Sequence, residues 1–291
     1  MTDMRAEQLA DLCVQALIDE VTLTPKPGLV DIRHRGAHRD LNWALMCRSA
    51  LALRPTFARL AQAAIHADAD LTLRETLGRI GREGEATMLA ATGGINTHRG
   101  AIWALGLLVA AAARHPESNA DTLAHAAGAL ARLPDRHAPR QTGNKGEMAC
   151  QRYGVGGARA QAQAGFPQIV RAALPALHES RRQGHSEAAA RLNALLAVMA
   201  GLDDTCLLSR GGPEALQRVQ RGAAAVLHAG GAGSWRGRVA LRALDQCMLA
   251  RHLSPGGAAD LLAGALFLDA LTSSGAITKT PSNKEIQTCR N

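Results

Sequence analysis

Apolar residues recur at helical spacing along most of the chain, and no stretch alternates apolar and polar residues as a half-buried strand does. Over residues 6–20, for example, Leu9, Leu12, Cys13, Ala16 and Leu17 share one face of a helix. The same spacing predicts helices over residues 41–53, 55–65, 71–91, 98–114, 120–132, 168–180, 186–201, 214–229, 239–252 and 254–271. The pattern therefore predicts an all-α fold.

The segment at residues 98–114 differs from the others because it is apolar on almost every face. A helix without a polar face is typical of the centre of a protein, so we expect this one to be buried. No linker or internal repeat interrupts the pattern, which predicts a single compact multi-helix domain over residues 1–272. The polar residues 273–291 are expected to form a frayed or disordered C-terminal tail.

Composition supports the same fold. Hydrophobic residues make up 47% of the chain and aromatic residues only 2%, so the core must consist mainly of Ala, Leu, Val and Ile, and Ala and Leu favour helices. The first residues carry no apolar signal segment, and no apolar run is long enough to cross a membrane. We therefore expect a cytoplasmic protein with no membrane partner.

The chain has 33 Lys and Arg residues against 25 Asp and Glu residues, a net charge of +8. The basic residues are scattered among the helices without interleaved aromatic residues, which argues against a nucleic-acid partner and favours a pocket for a small polyanion such as a nucleotide. Before the tail the only lysines are Lys26 and Lys145. Both fall in predicted loops and are functional candidates, although compositional bias alone would also explain their isolation.

Residues 21–40, here called the proline loop, separate two predicted helices and cannot themselves be helical. Pro25 and Pro27 fix φ and remove two backbone donors, and Gly28 permits a turn or a close approach to a ligand. The loop carries these ionisable side chains: Lys26, Asp31, Arg33, His34, His38, Arg39 and Asp40. A stiff loop with mixed charges could hold an anionic, metal-bound substrate, or it could be a well-ordered connection between helices.

Two further loops combine glycine with polar residues at the start of a predicted helix. The first contains Asn96, Thr97, His98 and Arg99, of which Asn96 or Thr97 can cap the helix. The second contains Arg210, Gly211 and Gly212, followed by Pro213 in the first helical turn. Free N–H groups at a helix start attract anions, so both loops are candidate phosphate sites, although such starts also occur in ordinary proteins.

Asp203 and Asp204 are adjacent carboxylates at the predicted end of a helix, where the dipole disfavours negative charge. A cation would compensate their negative charge, and Mg²⁺ is a suitable one because it binds carboxylate oxygens and phosphates together. A solvated acidic turn is the alternative.

Residues 133–146 are rich in Pro, Gly and polar residues and could form a mobile loop or a lid. The spacing of Gly154 and Gly156 is superficially that of a dinucleotide-binding turn, but no strand precedes it, so this reading is rejected. Tyr153, the only tyrosine, could stack on a base or simply pack.

Taken in order, the polar loops form a specific set. They are Thr24-Pro25-Lys26-Pro27-Gly28-Leu29-Val30-Asp31, Gly36-Ala37-His38-Arg39-Asp40, Gly94-Ile95-Asn96-Thr97-His98-Arg99-Gly100-Ala101, Tyr153-Gly154, Gly157-Ala158-Arg159, Gly165-Phe166-Pro167, Arg210-Gly211-Gly212 and Ser254-Pro255-Gly256-Gly257-Ala258-Ala259-Asp260-Leu261-Leu262. This set closely resembles the triphosphoribosyl-dephospho-CoA synthase family over nearly the whole chain. The run Asp203-Asp204-Thr205-Cys206 resembles the malonate decarboxylase branch more than the citrate lyase branch.

The resemblance implies a transferase that moves the 5-triphosphoribosyl group of ATP to the 2′-hydroxyl of 3′-dephospho-CoA and releases adenine. The product would be the prosthetic-group precursor that a transferase attaches to the acyl carrier protein of malonate decarboxylase or citrate lyase. The chain departs from the family at Ala160 and Gln161, where Gly-Glu is common, and at Lys145, where His is common. These departures put the roles of residues 145–161 in doubt.

Set against this reaction, the candidate residues fall into groups. The expected substrate and phosphate ligands are Lys26, Arg39, Asn96, Thr97, His98, Arg99, Arg159, Arg210, Gly211 and Gly212. The expected catalytic groups are Asp31, Asp204, Glu147 and His38, and His98 is a further possible proton donor to adenine. The expected Mg²⁺ ligands are Asp31, Asp40, Asp203 and Asp204, and which carboxylate is a base and which a metal ligand is left open.

Two other classes of protein would fit part of the pattern. A Mg²⁺-dependent all-α hydrolase of nucleotides or ADP-ribose would use the same carboxylates with water as the acceptor. A helical RNA-binding module would depend on the positive charge and would bind less tightly at high salt. The concentration of charged residues in Gly- and Pro-containing loops argues against the RNA-binding module.

Overall fold

The computed structural model describes residues 2–139 and 141–277, which form helices joined by loops, with no strand in these ranges. The helices are α1 (Thr2–Thr22), α2 (Trp43–Ala52), α3 (Arg54–Ala64), α4 (Leu71–Thr92), α5 (Arg99–Arg114), α6 (Ala120–Arg132), α7 (Lys145–Tyr153), α8 (Gly157–Gln163), a π-helical turn (Ile169–Ala173) that leads into α9 (Leu174–Arg182), α10 (Glu187–Gly201), α11 (Thr205–His228), α12 (Trp235–Ala250) and α13 (Gly256–Ile277). The predicted all-α fold is confirmed.

Helix α5 lies at the centre of the core, as its sequence predicts. Its residues from Ala101 to Ala113 are buried with the exception of Trp103, and it packs against α1, α3, α4, α6 and α13. Leu108 lies fully buried where α5 meets α13, opposite Gly264. Because α5 is surrounded by other helices, none of its faces meets water. This explains why its residues are apolar on almost every face.

Helices α7 and α8 and the start of α11 fall in segments that the sequence pattern assigns to loops. Helix α7 starts where the side chain of Asn144 accepts the backbone N–H of Glu147, at 2.9 Å. Asn followed three residues later by Glu is the signature of a capped helix start, so a signal was present in the sequence. Helix α11 starts at Thr205 and is kinked at Gly212, which has φ 67° and ψ −167°, immediately before Pro213.

The connectivity of the core brings several helix ends together. Helix α1 packs against α3 and α13, and α13 also packs against α5, α10 and α11. The C-terminal end of α1 lies near the N-terminal ends of α5, α11 and α13, because Asp260 of α13 accepts the N–H of Ala101 and lies close enough to Glu20 and to Asp204, the N-cap of α11, for their charges to raise its pKa. The prediction that no residue of the proline loop is helical is wrong for Val21 and Thr22, which end α1, and residues 23–40 follow the helix directly and emerge at this junction.

The last helix continues to Ile277, beyond the predicted domain boundary at residue 272. The predicted tail over residues 273–291 therefore starts as helix, and its residues 278–291 lie outside the described residues. Within the described ranges, no single helix has the length and apolar composition to span a membrane; α10 and α11 meet that test only as a pair bent by 60°.

The central position of α5 leads to a prediction about stability. Leu108→Ala should leave a cavity between α5 and α13 and lower the free energy of unfolding by about 2–5 kcal/mol. Leu51→Ala on α2 is the matched control, because Leu51 is 58% exposed and its truncation should change that free energy by less than about 0.5 kcal/mol. Urea denaturation of both variants measures the difference, and equal losses would contradict the placement of α5 at the centre.

Candidate functional site

Asp31 organises the first half of the proline loop. Its carboxylate accepts the Thr24 hydroxyl at 2.9 Å, the backbone N–H groups of Lys26, Arg33 and His34, and the guanidinium of Arg33 at 2.8 Å. Burial by itself would raise the pKa of Asp31, but the Arg33 hydrogen bond and the other donors hold it below its usual value. The carboxylate is therefore ionised and its oxygens are engaged by the loop itself.

Lys26 is buried, a placement that its position in a charged loop does not predict. Its side chain is 1% exposed, and its ammonium donates to the carboxylate of Glu20, which is 6% exposed, in the last turns of α1. Burial lowers the pKa of Lys26 and raises that of Glu20, and the attraction between the two groups opposes both shifts. A buried charge is tolerated only when it is paired in this way. The two side chains thus fix the proline loop to α1.

The proline loop also packs tightly on the turn between α12 and α13. Gly28 has φ +69°, and a Cβ atom at this position would lie 2.3 Å from the carbonyl oxygen of Leu253. The Gly28 N–H donates to Asp245 of α12 at 2.9 Å. Only glycine allows this approach, which explains its place in the loop.

A second cluster consists of His38, Arg210 and Ser254, which are far apart in the chain and are joined by hydrogen bonds. The guanidinium of Arg210 lies 3.2 Å from Nδ1 of His38, and the Ser254 hydroxyl lies 2.8 Å from Nε2. Burial, followed by the charge of Arg210, lowers the pKa of His38 to about 4. The ring is therefore neutral near pH 7, and since Arg210 can only donate, Nδ1 accepts and Nε2–H donates to Ser254.

The loop before α5 is anchored through His98, which is buried. Its Nδ1 lies 2.8 Å from the Ser49 hydroxyl, which is also 2.6 Å from the Thr97 hydroxyl. Nε2 of His98 has no hydrogen-bond partner among the described residues. Burial, and then the charge of Lys26, lowers the pKa of His98 to about 4, so this imidazole is also neutral near pH 7.

Asn96 and Arg99, two other predicted ligands in this loop, form hydrogen bonds within the protein. Asn96 accepts the backbone N–H of Arg99 at 3.2 Å, whereas the residue at the N-cap position is His98, which gives no side-chain cap. The guanidinium of Arg99 donates to Glu85 of α4 at 2.8 Å. Asn96 is exposed and Thr97 half-buried, so both can be reached from solvent.

Asp204 is buried at the start of α11, and this placement replaces the sequence-based argument for a compensating cation. One carboxylate oxygen accepts the N–H of Cys206 at 2.8 Å, and the other accepts the N–H of Ala258, in the first turn of α13, at 2.9 Å. Asp204 therefore lies at the positive ends of two helices, where the dipole stabilises a carboxylate. Burial nevertheless raises its pKa.

Asp260, in the second turn of α13, is directed at the start of α5. It accepts the N–H of Ala101, and its carboxyl lies so close to Gly100 that a Cβ there would be 2.0 Å from Oδ2. Burial, and then the charges of Glu20 and Asp204, raises the pKa of Asp260 well above its usual value. Asp204 and Asp260 thus form a pair of interacting carboxyl groups, of which Asp260 holds its proton more strongly.

The remaining predicted residues lie nearer the surface. Arg39, Asp40, Arg159, Asp203, Arg210 and Gly211 are exposed, and Gly212 is half-buried at the kink of α11. Glu147 accepts the hydroxyl and N–H of Thr142 and the N–H of Gly143, and the Thr142 hydrogen bond lowers its pKa. Glu147 thus closes the turn before α7.

The predicted metal ligands do not converge on one point. Among the residues that the structure describes, no group of at least three His, Cys, Asp or Glu side chains could hold a metal ion. The oxygens of Asp31 and Asp204 are engaged by N–H and O–H donors, whereas Asp40 and Asp203 are exposed. In the described residues the four predicted carboxylates therefore do not form a closed set of ligands for a bound cation.

Sequence reasoning missed Glu20 and left Asp260 and Ser254 without a role. Glu20 could be read as part of the polar face of α1, and only the fold turns it toward Lys26. Asp260 and Ser254 belong to residues 254–262, one of the loops on which the family resemblance rests. Their polar side chains in this loop were the signal that could have identified them.

Comparison with known proteins gives consistent matches over the chain. The family model described as CitG, ATP:dephospho-CoA triphosphoribosyl transferase, matches residues 6–278. The 2-(5''-triphosphoribosyl)-3'-dephosphocoenzyme-A synthase of Klebsiella pneumoniae is 58% identical over 268 residues, which cover 92% of this chain and 95% of that protein. A probable synthase of the same name from Stutzerimonas stutzeri (strain A1501) is also 58% identical, with 92% of each chain covered. No solved structure matches the chain significantly.

The neutral state of His98 predicts a pH dependence of stability. Its pKa is about 4 in the folded chain and about 6.5 in an unfolded one, so between these values the unfolded state binds the proton and the folded state does not. The free energy of unfolding should therefore increase as the pH is raised from about 4 to about 6.5, and it should then level off. His98 should contribute about 3 kcal/mol to this increase. His98→Gln should reduce this slope in urea denaturation measured across the window.

His38 contributes in the same direction, so the slope in His98→Gln should be reduced and not abolished. The matched control is His125→Gln, because His125 is exposed on α6, and this variant should keep the slope of the unchanged protein. Identical slopes in the two variants would contradict the burial of His98 as a neutral ring.

Proposed function

Because the chain belongs to the ATP:dephospho-CoA triphosphoribosyl transferase family, we propose that it moves the 5-triphosphoribosyl group of ATP to the 2′-hydroxyl of 3′-dephospho-CoA and releases adenine. The observation that best supports this activity is the junction of the proline loop with the starts of α5, α11 and α13. There a neutral imidazole, an exposed arginine and a pair of interacting carboxyl groups come together.

The reaction sets two proton-transfer tasks. The bond between C1′ of the ATP ribose and N9 of adenine breaks, and a bond from C1′ to the acceptor 2′-oxygen forms. The acceptor hydroxyl must lose its proton, and the departing adenine must gain one. As in glycoside cleavage, a carboxyl group with a raised pKa suits the second task, and a nearby carboxylate stabilises the positive charge on the sugar.

We assign the proton donor role to Asp260 and the charge-stabilising role to Asp204. Asp260 has the higher proton affinity, and its carboxyl lies against Gly100 at the start of α5. Asp204 is held by N–H donors from α11 and α13, which favour its ionised form. The negative charge of Asp204 also helps Asp260 to keep its proton.

His38 is the proposed base for the 2′-hydroxyl. Its ring is neutral near pH 7 and its Nδ1 lone pair faces Arg210. When Arg210 turns to the triphosphate, Nδ1 becomes free to accept the hydroxyl proton, and Ser254 keeps the ring oriented through Nε2.

Arg210, Lys145 and Arg39 are the proposed ligands of the triphosphate, because all of them are exposed and Arg210 and Lys145 lie close enough to His38 to affect its pKa. We propose that Asn96, Thr97, Arg99, Arg159, Gly211 and Gly212 complete the nucleotide site. Lys26, Asp31, His98 and Glu147 are assigned positioning roles, since their polar groups mainly hold the loops in place.

A divalent cation is proposed to enter with ATP. Asp40 and Asp203 are the residues that would contact it, since their carboxylates are exposed, and Mg²⁺ would neutralise charge on the triphosphate.

The product is proposed to serve as the prosthetic-group precursor for the acyl carrier protein of malonate decarboxylase, delivered by a prosthetic-group transferase in the cytoplasm. The run from Asp203 to Cys206 supports malonate decarboxylase over citrate lyase.

The activity is tested by incubating the purified protein with ATP, Mg²⁺ and 3′-dephospho-CoA and measuring adenine by chromatography. We expect adenine to be released together with the triphosphoribosylated product, and release should largely stop without dephospho-CoA. Adenine release that does not depend on dephospho-CoA would instead indicate a nucleotide hydrolase with water as the acceptor. A folded protein that releases no adenine would overturn the proposal.

The roles of the carboxyl pair predict the effect of two substitutions. Asp260→Asn keeps an oxygen that accepts the N–H of Ala101, so the fold should persist, but the turnover number should fall by about 100-fold or more. Asp204→Asn turns an amide NH2 toward the N–H of Cys206 or of Ala258, so it should lower stability as well, and its turnover number should be measured on protein that circular dichroism shows to be folded. Asp68→Asn is the matched control, since Asp68 is exposed in the loop before α4, and its turnover should match that of the unchanged protein. Full activity in either of the first two variants would remove that residue from the catalytic group.

A further inference from the structure

A separate cavity of about 500 Å³ lies on the other side of the proline loop. Thr24 and Pro25 form one wall, the turn before α10 with His185 forms a second, and α12 forms a third. Thr24 also donates its hydroxyl to Asp31, so the wall of the cavity is fixed to the rest of the proline loop, and none of the residues that line the cavity belongs to the carboxyl pair or to the cluster of His38, Arg210 and Ser254. The cavity is therefore adjacent to the site and is not part of it.

The ionisable side chains around this cavity are all basic. They are His185, Arg238 and Arg242, and none of the described residues that line it is acidic. Arg238 donates to the carbonyl of Gly233 at 2.9 Å, whereas Arg242 has no ion-pair partner among the described residues. The uncompensated positive charge of the arginines favours an anionic ligand.

The rest of the lining is apolar and comes from Ala188, Ala189, Leu192, Ala232 and Leu241. Helix α10 starts beside the cavity, with Ser186 at its N-cap, and the positive end of its dipole adds to the arginines. A lining of this kind suits a ligand with one anionic end and one largely apolar arm. The volume lies within the range of about 300–1,000 Å³ that is usual for small-molecule sites.

We propose that this cavity binds the diphosphate and pantetheine arm of dephospho-CoA. This inference rests on the proposed function, which requires the 2′-hydroxyl of that substrate to reach the carboxyl pair. The arm leaves the ribose from its 5′ side and must extend away from the reacting atoms. Arg238, Arg242 and His185 bind the diphosphate, and the alanine and leucine side chains contact the arm, while Thr24 and Pro25 separate the arm from the triphosphate.

The test compares the binding of dephospho-CoA in variants of α12 by isothermal titration calorimetry. Arg242→Gln should weaken binding about tenfold, since it removes a charge-assisted hydrogen bond to phosphate. The matched control is Arg236→Gln on the same helix, because Arg236 is exposed and does not line the cavity. This control should leave the affinity within about twofold, below the loss expected for one such bond.

Ala188→Trp is a second variant that acts through shape and not through charge. Ala188 is exposed in the first turn of α10 and lines the cavity, so the indole should fill the space without disturbing the core. It should also weaken the binding of dephospho-CoA, and both variants should raise the KM for dephospho-CoA while leaving the KM for ATP within about twofold. In the unchanged protein, 4′-phosphopantetheine should compete with dephospho-CoA and not with ATP.

The outcomes separate this inference from the proposed function. If the protein releases adenine but Arg242→Gln and Ala188→Trp bind dephospho-CoA as tightly as Arg236→Gln does, the arm binds elsewhere and only the inference fails. If the cavity variants weaken binding of dephospho-CoA but the unchanged protein releases no adenine, the cavity assignment holds and the transferase activity fails.

Discussion

The arrangement of this protein depends on the need to satisfy charged groups that the fold has removed from water. Lys26 and Glu20 are both buried and are stable there only because they face each other. Asp31 is satisfied in the same way by the backbone and side chains of its own loop. These contacts tie the proline loop to α1, and the contact of Gly28 with Leu253 ties it to the turn before α13. The loop is consequently held in one conformation before any substrate is present.

The helix ends at the junction follow the same constraint. The starts of α5, α11 and α13 direct free N–H groups inward, and the groups that accept them are Asp260 and Asp204 of the protein itself. The positive ends of the helices thus stabilise carboxyl groups at the site instead of binding phosphate directly. The positive charge available to a polyanion comes from exposed side chains such as Arg210 and Lys145, which lie at the edge of this buried cluster. A fixed polar interior with exposed basic residues around it fits the proposed binding of a highly charged nucleotide.

Much of the fold could be predicted because helical periodicity is a local property. The central helix α5 was identifiable from its uniform apolar character alone, and most other helices follow from the spacing of their apolar residues. The helices that were missed are short or start within polar sequence: α7 depends on the Asn144 cap, and the first part of α11 precedes the kink at Gly212. Periodicity gives little signal in such segments, where capping decides the structure.

For the site, the sequence by itself determined which loops matter and which polar residues they carry, because proline, glycine and charge patterns are visible without a fold. Only the tertiary structure decided what each residue faces. Lys26 looked like a phosphate ligand and is a buried partner of Glu20, and Asp204 looked like an unfavourable helix end and is the cap of the next helix. Burial, and then the charges of Glu20 and Asp204, which are far from it in sequence, raise the pKa of Asp260. Burial and long-range electrostatic contacts depend on how the helices pack against one another, and the order of residues along the chain does not specify them locally.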